Sequence, residues 1–194
     1  EYETAVAANY LVPYHAIEKT STFLDEGINL DNLSEEDLEK IRNREEGEEP
    51  FEEIPPKAIN EYVFNEDTTR QVLEDLMAKG IKTGGDKLGK TIIFAYNKNH
   101  AQHIVDTFNK FWPQYKGKMC QRIVCDDTKV KSTIKEFKKT DSLLQIAVSV
   151  DMLDTGVDIP EVLNLVFYKK TRSKIKFWQM IGRGTRLAPN LECH

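Results

Sequence analysis

The stretch Thr91-Ile-Ile-Phe-Ala-Tyr96 is a short apolar run, and Asn97 directly after it can cap a helix. Apolar runs of this length are typical of strands that are buried on both faces of a sheet. The helix that follows carries apolar residues at helical spacing and ends before Pro113. A buried strand followed by an amphipathic helix is the repeating unit of a parallel sheet, so this stretch sets the fold class.

The same alternation continues toward the carboxyl terminus. We predict further strands at Arg122–Cys125, Leu144–Val150 and Leu163–Phe167, and helices over Val130–Lys139 and from Ser173 onward. The last helix is expected to turn three apolar residues inward, namely Ile175, Trp178 and Ile181. The prediction is an α/β domain of three layers, with a parallel sheet between helices.

Toward the amino terminus the pattern is less regular. Asp67 can cap a helix that Gly80 ends, and Thr83–Gly89 is predicted to be a loop. The stretch Tyr10–Ile17 is typical of a strand, but Pro13 inside it favours an edge strand or a connector.

An acidic tract over Asp25–Glu53 separates these two parts, and a short helix through Leu38 and Ile41 is expected within it. The stretch Glu45-Glu-Gly-Glu-Glu-Pro50 has too little apolar content to pack, so a mobile loop is expected there. We therefore predict an acidic connector over residues 1–64 and a folded domain over residues 65–194.

The composition bounds the class of protein. The chain has 194 residues, of which 40% are hydrophobic and 30% charged, which suits a soluble globular protein without a membrane partner. No run approaches the ~18 apolar residues of a membrane span. Three cysteines without paired spacing argue for a reducing compartment, and we expect a cytoplasmic protein.

The net charge of −5 conceals two unlike parts. Residues 1–70 hold 19 acidic against 6 basic side chains, a net charge of −13, whereas residues 71–194 hold 13 against 21, a net charge of +8. The basic part could bind a polyanion, although solvated charged faces would give the same pattern.

The stretch Gly84-Gly-Asp-Lys-Leu-Gly-Lys-Thr91 matches the phosphate-loop pattern letter for letter. A working phosphate loop leaves a strand and opens a helix, so that its amides and its lysine face the phosphates. Here a helix precedes the loop and a strand follows it, so we interpret the match as a glycine loop before a strand. A phosphate-loop NTPase that uses Lys90 remains the alternative.

The stretch Ile146-Ala-Val-Ser-Val-Asp-Met-Leu-Asp-Thr-Gly-Val-Asp-Ile-Pro160 is a buried strand followed by an acidic turn of small residues. Ser149, Thr155 and the Gly156 amide could contact a phosphate, and carboxylates such as that of Asp158 could accept a ribose hydroxyl or pair with arginines. A capped turn without a ligand is the alternative. We predict no metal site beside it.

The stretch Phe177-Trp-Gln-Met-Ile-Gly-Arg-Gly-Thr-Arg-Leu187 places Gln179, Arg183 and Arg186 at spacings of four and three, on one helix face. Gly182 leaves room for a close approach. Guanidinium groups are planar and permanently charged, so this face suits a triphosphate. A basic helix end paired with the acidic turn is the alternative.

Together, Thr91-Ile-Ile-Phe-Ala-Tyr96, Asp151-Met-Leu-Asp-Thr-Gly-Val-Asp158 and Gln179-Met-Ile-Gly-Arg-Gly-Thr-Arg186 resemble motifs IV, V and VI of superfamily 2 helicases and translocases. The sequences of these motifs are similar to those of the restriction (motor) subunit of type I restriction enzymes. They are less similar to those of type III restriction subunits. The resemblance is strong over residues 88–191 and implies the second RecA-like domain of a two-domain motor.

The resemblance also implies roles. Arg186 would be the arginine finger and Arg183 a second γ-phosphate ligand, while Gln179 would couple nucleotide state to domain closure. Residues of the cleft that meet the nucleotide would be Gly156, Asp158 and Gly182. Candidates for contacts with the DNA backbone would be Asn97, Lys98, Ser149 and Thr155.

The family's phosphate loop and magnesium-binding carboxylates belong to a first motor domain, and its nuclease lies further upstream. The resemblance therefore implies half of a DNA translocase, a hydrolase that binds ATP and Mg²⁺ together with the first motor domain and that assembles with modification and specificity subunits. We expect this chain alone to be inactive. The motor half of another superfamily 2 protein, and a non-enzymatic nucleic-acid-binding module, remain open alternatives.

Overall fold

The computed structural model describes residues 2–16, 66–84, 86–125, 127–150, 159, 161–168 and 174–185. The predicted acidic tract and the predicted domain boundary after residue 64 lie outside these ranges and stay predictions. Within them, no helix combines the length and the apolar character that crossing a membrane requires.

The helices and strands follow one another in chain order. They are α1 (Tyr2–Ala7), α2 (Glu66–Lys79), β1 (Lys82–Thr83), β2 (Lys87–Leu88), β3 (Lys90–Phe94), α3 (Lys98–Phe111), β4 (Cys120–Ile123), α4 (Val130–Phe137), β5 (Ile146–Ser149), β6 (Val162–Phe167) and α5 (Lys174–Gly184). A single 3-10 turn at Pro113–Tyr115 follows α3.

The four longer strands form one parallel sheet in the order β4-β5-β3-β6. The predicted fold class is therefore confirmed. Each strand begins and ends within two residues of its prediction, and β4 shows the largest shift because both of its ends lie two residues earlier, at Cys120 and Ile123. All five residues of β3 are buried, as expected for a strand in the interior of a sheet that is covered on both faces.

Helices cover both faces of the sheet, and alternate residues of β3 enter different cores. Ile93 packs with Leu73 of α2 and Phe108 of α3 in one apolar cluster. Ile92 packs with Phe137 of α4 and Met180 of α5 in the other. The three layers predicted from the sequence are thus α2 and α3, the sheet, and α4 and α5.

The predicted loop at Thr83–Gly89 is in fact a small antiparallel hairpin of β1 and β2. Asn164 of β6 holds this hairpin against the sheet, since its side chain accepts a hydrogen bond from the Ile81 N–H at 2.7 Å and donates to the Ile81 carbonyl at 3.1 Å. Gly89 lies between β2 and β3, and an added Cβ there would come within 2.7 Å of the Leu163 side chain of β6. This glycine is therefore required because the chain passes close to β6, and no phosphate is needed to explain it.

The predicted strand at Tyr10–Ile17 is absent from the described part, which ends at residue 16. The chain instead forms α1, turns at residues 8–10 and continues without regular structure. Its Val12 N–H donates to the Thr185 carbonyl at 3.0 Å, which attaches this segment to the end of α5.

The predicted inward face of α5 is only partly correct. Ile181 and Met180 are buried, but Ile175 is 72% exposed and Trp178 is 39% exposed. The helix packs on β6, where the position of a Cβ on Gly184 lies 3.1 Å from Leu165. Contact with a strand at the edge of the sheet covers only a narrow stripe of the helix, which leaves its first turns uncovered.

Candidate functional site

Three neighbouring strands end together at one edge of the sheet. Ser149 at the end of β5 and Phe167 at the end of β6 are both in register with Phe94, the last residue of β3. The carboxyl edge of an open parallel sheet is where ligands of α/β proteins bind. The segments that follow β3, β5 and β6 therefore begin side by side, and these segments lead to Asn97 and Lys98, to the predicted motif V and to the predicted motif VI.

Asn97 begins α3 at this edge. Its side-chain oxygen accepts a hydrogen bond from the His100 N–H at 2.8 Å, which confirms the predicted cap. In return, Nδ1 of His100 accepts a hydrogen bond from the Tyr96 N–H at 3.3 Å. The two bonds fix the turn after β3 and leave Lys98, at the first position of the helix, exposed.

His100 is held in its neutral form. The ring is 4% exposed and stacks beside Tyr96, with Tyr168 edge-on at 5.0 Å between ring centroids. Burial, assisted by the nearby His103, lowers the pKa of His100 to about 3. The side chain that completes the cap is thus an uncharged acceptor. A glutamate, the residue more common at this position of a capping box, would place a negative charge there.

Ser149 is fully buried at the end of β5, and its hydroxyl has no hydrogen-bond partner among the described residues. Its backbone carbonyl accepts from the Ala95 N–H at 2.8 Å, which ties the ends of β5 and β3 together. The predicted DNA contact of Ser149 would require this hydroxyl to become accessible.

α5 brings three of the predicted nucleotide residues onto one helix. Gln179 is exposed, whereas Arg183, four residues later, is only 9% exposed. Around Gly182 no atom of the described residues lies within 4 Å of the position of a Cβ, so a methyl group there would meet open space. The predicted role of this helix in nucleotide binding stays a prediction.

The other predicted site residues, Thr155, Gly156, Asp158 and Arg186, lie outside the described residues and stay predictions. Within the described ranges, no group of three or more His, Cys, Asp or Glu side chains could hold a metal ion.

Lys90 does not lie in a phosphate loop. It opens β3, its side chain is 4% exposed, and Nζ donates to the Glu161 carboxylate at 2.7 Å. Burial alone would raise the pKa of Glu161, but the hydrogen bonds from Lys90 and Thr140 outweigh it and lower this pKa. The ion pair sits where β3 and β6 begin, at the opposite edge from the candidate site. The interpretation of the glycine loop as the start of a strand is correct.

Sequence reasoning missed two of the polar residues that organise this domain. The position of His100, three residues after the helix cap, was a signal for a side chain that accepts a backbone N–H at the start of the helix. The polar Asn164 within the apolar run Leu163–Phe167 was a signal for a buried hydrogen-bonding role.

Known proteins match this chain over the region that contains the three predicted motifs. Residues 69–188 match the family described as helicase conserved C-terminal domain. The chain is 32% identical to the type I restriction enzyme EcoKI endonuclease subunit of Escherichia coli (strain K12), over 98% of this chain and 17% of that subunit. A solved fragment assigned to an HsdR subunit of a type I restriction enzyme from Vibrio vulnificus YJ016 is 26% identical, with a TM-score of 0.58, and the match covers 68% of this chain and 25% of that one. The chain thus spans a minor part of the curated relative that it matches.

Proposed function

The chain belongs to the helicase conserved C-terminal domain family, as its motifs predicted, and on that basis we propose that it supplies the second half of an ATP-dependent DNA translocase in a type I restriction enzyme. The complete subunit is the enzyme, a hydrolase that works with modification and specificity subunits in the cytoplasm. This chain alone would be inactive. The coarser conclusion, a helicase C-terminal domain similar to HsdR subunits, stands without this proposal.

The observation that carries the proposal is the alignment of strand ends. Ser149, Phe94 and Phe167 end three adjacent strands in register, so motif IV ends, and the segments that lead to motifs V and VI begin, at one edge of the sheet. A motor needs nucleotide contacts and DNA contacts on one rigid support, so that a movement at one reaches the other.

α5 would hold the phosphate end of ATP. Arg183 and Arg186 would neutralise the γ-phosphate, with Gly182 allowing close approach, and Gln179 would sense whether the cleft is closed. ATP with Mg²⁺ supplies the phosphoryl group whose hydrolysis drives the motor. Following the family resemblance, the ligands of Mg²⁺ would come from the first motor domain.

Residues after β3 and β5 would contact duplex DNA. Lys98 is exposed at the start of α3 and can approach a phosphate, with the Asn97 cap fixing the turn. Thr155 would add a contact from the segment after β5. Gly156 and Asp158 would lie between this DNA contact and the nucleotide.

The test is made in the complete subunit. Arg186→Ala is expected to lower DNA-stimulated ATP turnover by about 10³-fold or more, because an arginine finger stabilises charge that develops during phosphoryl transfer. Arg183→Ala should also lower it. Arg70→Ala, a change of the same type on the surface of α2, is the matched control and should leave turnover intact. Retained turnover in Arg186→Ala would contradict the finger assignment.

A second test separates the motor half from a free-standing NTPase. Calorimetric titration of Mg-ATP into this chain should show no saturable binding, since half of the site is elsewhere. Lys90→Ala should not change that result, because Lys90 is engaged with Glu161. Micromolar binding that is lost in Lys90→Ala would restore the phosphate-loop alternative.

A further inference from the structure

α4 exposes a row of lysines on a face that the sheet does not cover. Lys131, Lys135 and Lys138, the last of which directly follows α4, are all exposed, whereas Phe137 is buried in the core. At about 3.6 residues per turn, positions four and three apart fall within about 60° of arc, so the three ammonium groups project to the same side. We call these three residues the α4 lysine surface.

Within the described ranges, no acidic neighbour neutralises the α4 lysine surface. Among the described residues none of the three lysines has a salt bridge, whereas Lys139 beside them pairs with Glu136 at 2.7 Å. Long charged side chains are usually compensated or scattered when they serve solubility alone. Three uncompensated lysines in a row leave a concentrated positive field on one side of the helix.

Charge is divided between the two sides of the sheet. The segment 129–139, on one side, holds five lysines and one glutamate, a net charge of +4. On the other side α2 and α3 together hold five acidic and four basic residues, a net charge of −1. A polyanion that meets this domain is therefore attracted more strongly to the side of α4 than to the side of α2 and α3.

The length of the row suits a duplex. From position 131 to position 138 the helix rises about 10 Å, at about 1.5 Å per residue. Each strand of duplex DNA presents about one phosphate for each 3.4 Å of the axis, so this span faces about three phosphates of one strand. Lysine is a flexible point charge, and a row of lysines thus matches a uniform backbone better than a shaped ligand.

We propose that the α4 lysine surface contacts the phosphate backbone of duplex DNA, in addition to the contacts expected after β3 and β5. This inference rests on the proposed function in one respect, since the motor proposal supplies DNA as the partner. It adds a second electrostatic contact in α4, beyond the carboxyl edge of the sheet. Contacts of this kind hold the duplex without reading its sequence.

The experiment measures binding of a fluorescently labelled, mixed-sequence duplex to the 194-residue chain by anisotropy, between about 50 and 200 mM salt. The test variant combines Lys131→Gln, Lys135→Gln and Lys138→Gln. The matched control combines Lys79→Gln, Lys82→Gln and Lys110→Gln on the side of α2 and α3. Each set removes three positive charges, so both change the net charge from −5 to −8.

In the test variant we expect the slope of log affinity against log salt to fall by about two to three, because each phosphate that a lysine no longer neutralises removes about 0.9 from the slope. The control should keep the slope of the unaltered chain. Circular dichroism shows whether each variant is folded. If the triple variant is not, the single substitutions are compared, and each should lower the slope by about 0.9.

Equal slopes for the two triple variants would overturn the α4 lysine surface and leave the motor proposal intact. Failure of the unaltered chain to bind duplex would also overturn it. The motor proposal is then decided independently, by ATP turnover of Arg186→Ala in the complete subunit.

Discussion

His100 shows how a single side chain can set the local charge at a helix terminus. A neutral imidazole accepts the Tyr96 N–H, so the start of α3 keeps the partial positive charge of its dipole. Lys98 is exposed in the same turn. A phosphate approaching this turn therefore meets no carboxylate from the cap itself.

The depressed pKa of His100 predicts a dependence of stability on pH. The pKa is about 3 in the folded chain against 6.5 as its ordinary value, so below pH 6.5 the unfolded chain binds a proton that the folded chain does not. The contribution of His100 to the free energy of unfolding is fully present above about pH 6.5, and it falls by about 1.4 kcal/mol per pH unit toward pH 3. Between pH 6.5 and pH 5, urea denaturation should show a loss of about 2 kcal/mol from this residue.

An exposed histidine, His15, provides the control for this prediction. His100→Gln should remove most of this loss, because a neutral amide replaces the ring, whereas His15→Gln at an exposed position should leave it in place. An identical pH profile for the unaltered chain and His100→Gln would contradict the assignment.

Asn164 is the corresponding case in the core. Asn164→Ala would leave the Ile81 N–H without its 2.7 Å acceptor, and we expect a loss of about 1 to 3 kcal/mol in the free energy of unfolding. Asn99→Ala, at an exposed position of α3, should change it by no more than about 0.5 kcal/mol. Chemical denaturation compares the two variants directly, and equal effects would contradict the role of the buried amide.

At the scale of the element, α5 contains two glycines in different surroundings. Around Gly182 there is open space, whereas a Cβ on Gly184 would lie 3.1 Å from Leu165. Gly182→Ala should therefore stabilise the isolated chain by about 0.5 to 1 kcal/mol through helix propensity. Gly184→Ala should gain little, because Leu165 must shift. Thermal denaturation measures both.

In the complete subunit, Gly182→Ala is expected to be harmful even though it stabilises the isolated chain. If a nucleotide approaches the helix here, the added methyl group displaces it, and ATP turnover of Gly182→Ala should fall by about tenfold to a hundredfold. A variant that is more stable and equally active would show that the space beside Gly182 serves no ligand.

The same helix shows where sequence patterns stop being decisive. α5 is apolar at Ile175, Phe177, Trp178, Met180 and Ile181, which together occupy more than one face. Periodicity could not decide which residues face the sheet, and Ile175 and Trp178 were placed wrongly. β3 left no such choice, because consecutive apolar residues in a strand point to both faces of the sheet and must be covered on both. Its burial was therefore predictable from the apolar run alone.

At the scale of the whole molecule, the sequence predicted the order of strands and helices along the chain. It did not predict which distant segments contact each other. Nothing in Val12 or Thr185 indicated that the segment 8–16 would attach to the end of α5. Likewise, the link from Asn164 to Ile81 joins residues 83 positions apart. Hydrogen bonds between residues far apart in the chain depend on how the helices and strands dock, which the local sequence pattern does not encode. The residues after β5 and Arg186 could be proposed as phosphate contacts from their chemistry, but their particular roles came only from the family resemblance.

Trp178 is partly exposed, so its intrinsic fluorescence can report on changes around α5. The chain has two tryptophans, and the other, Trp112, stacks on Phe108 at 4.9 Å on the far side of the sheet. In a Trp112→Phe background, emission would come from a single indole that is 39% exposed on the helix proposed to meet the nucleotide. Docking of a first motor domain over α5 should remove water from that indole and shift its emission to shorter wavelength. Opening and closing of the motor could then be followed in real time without any added dye.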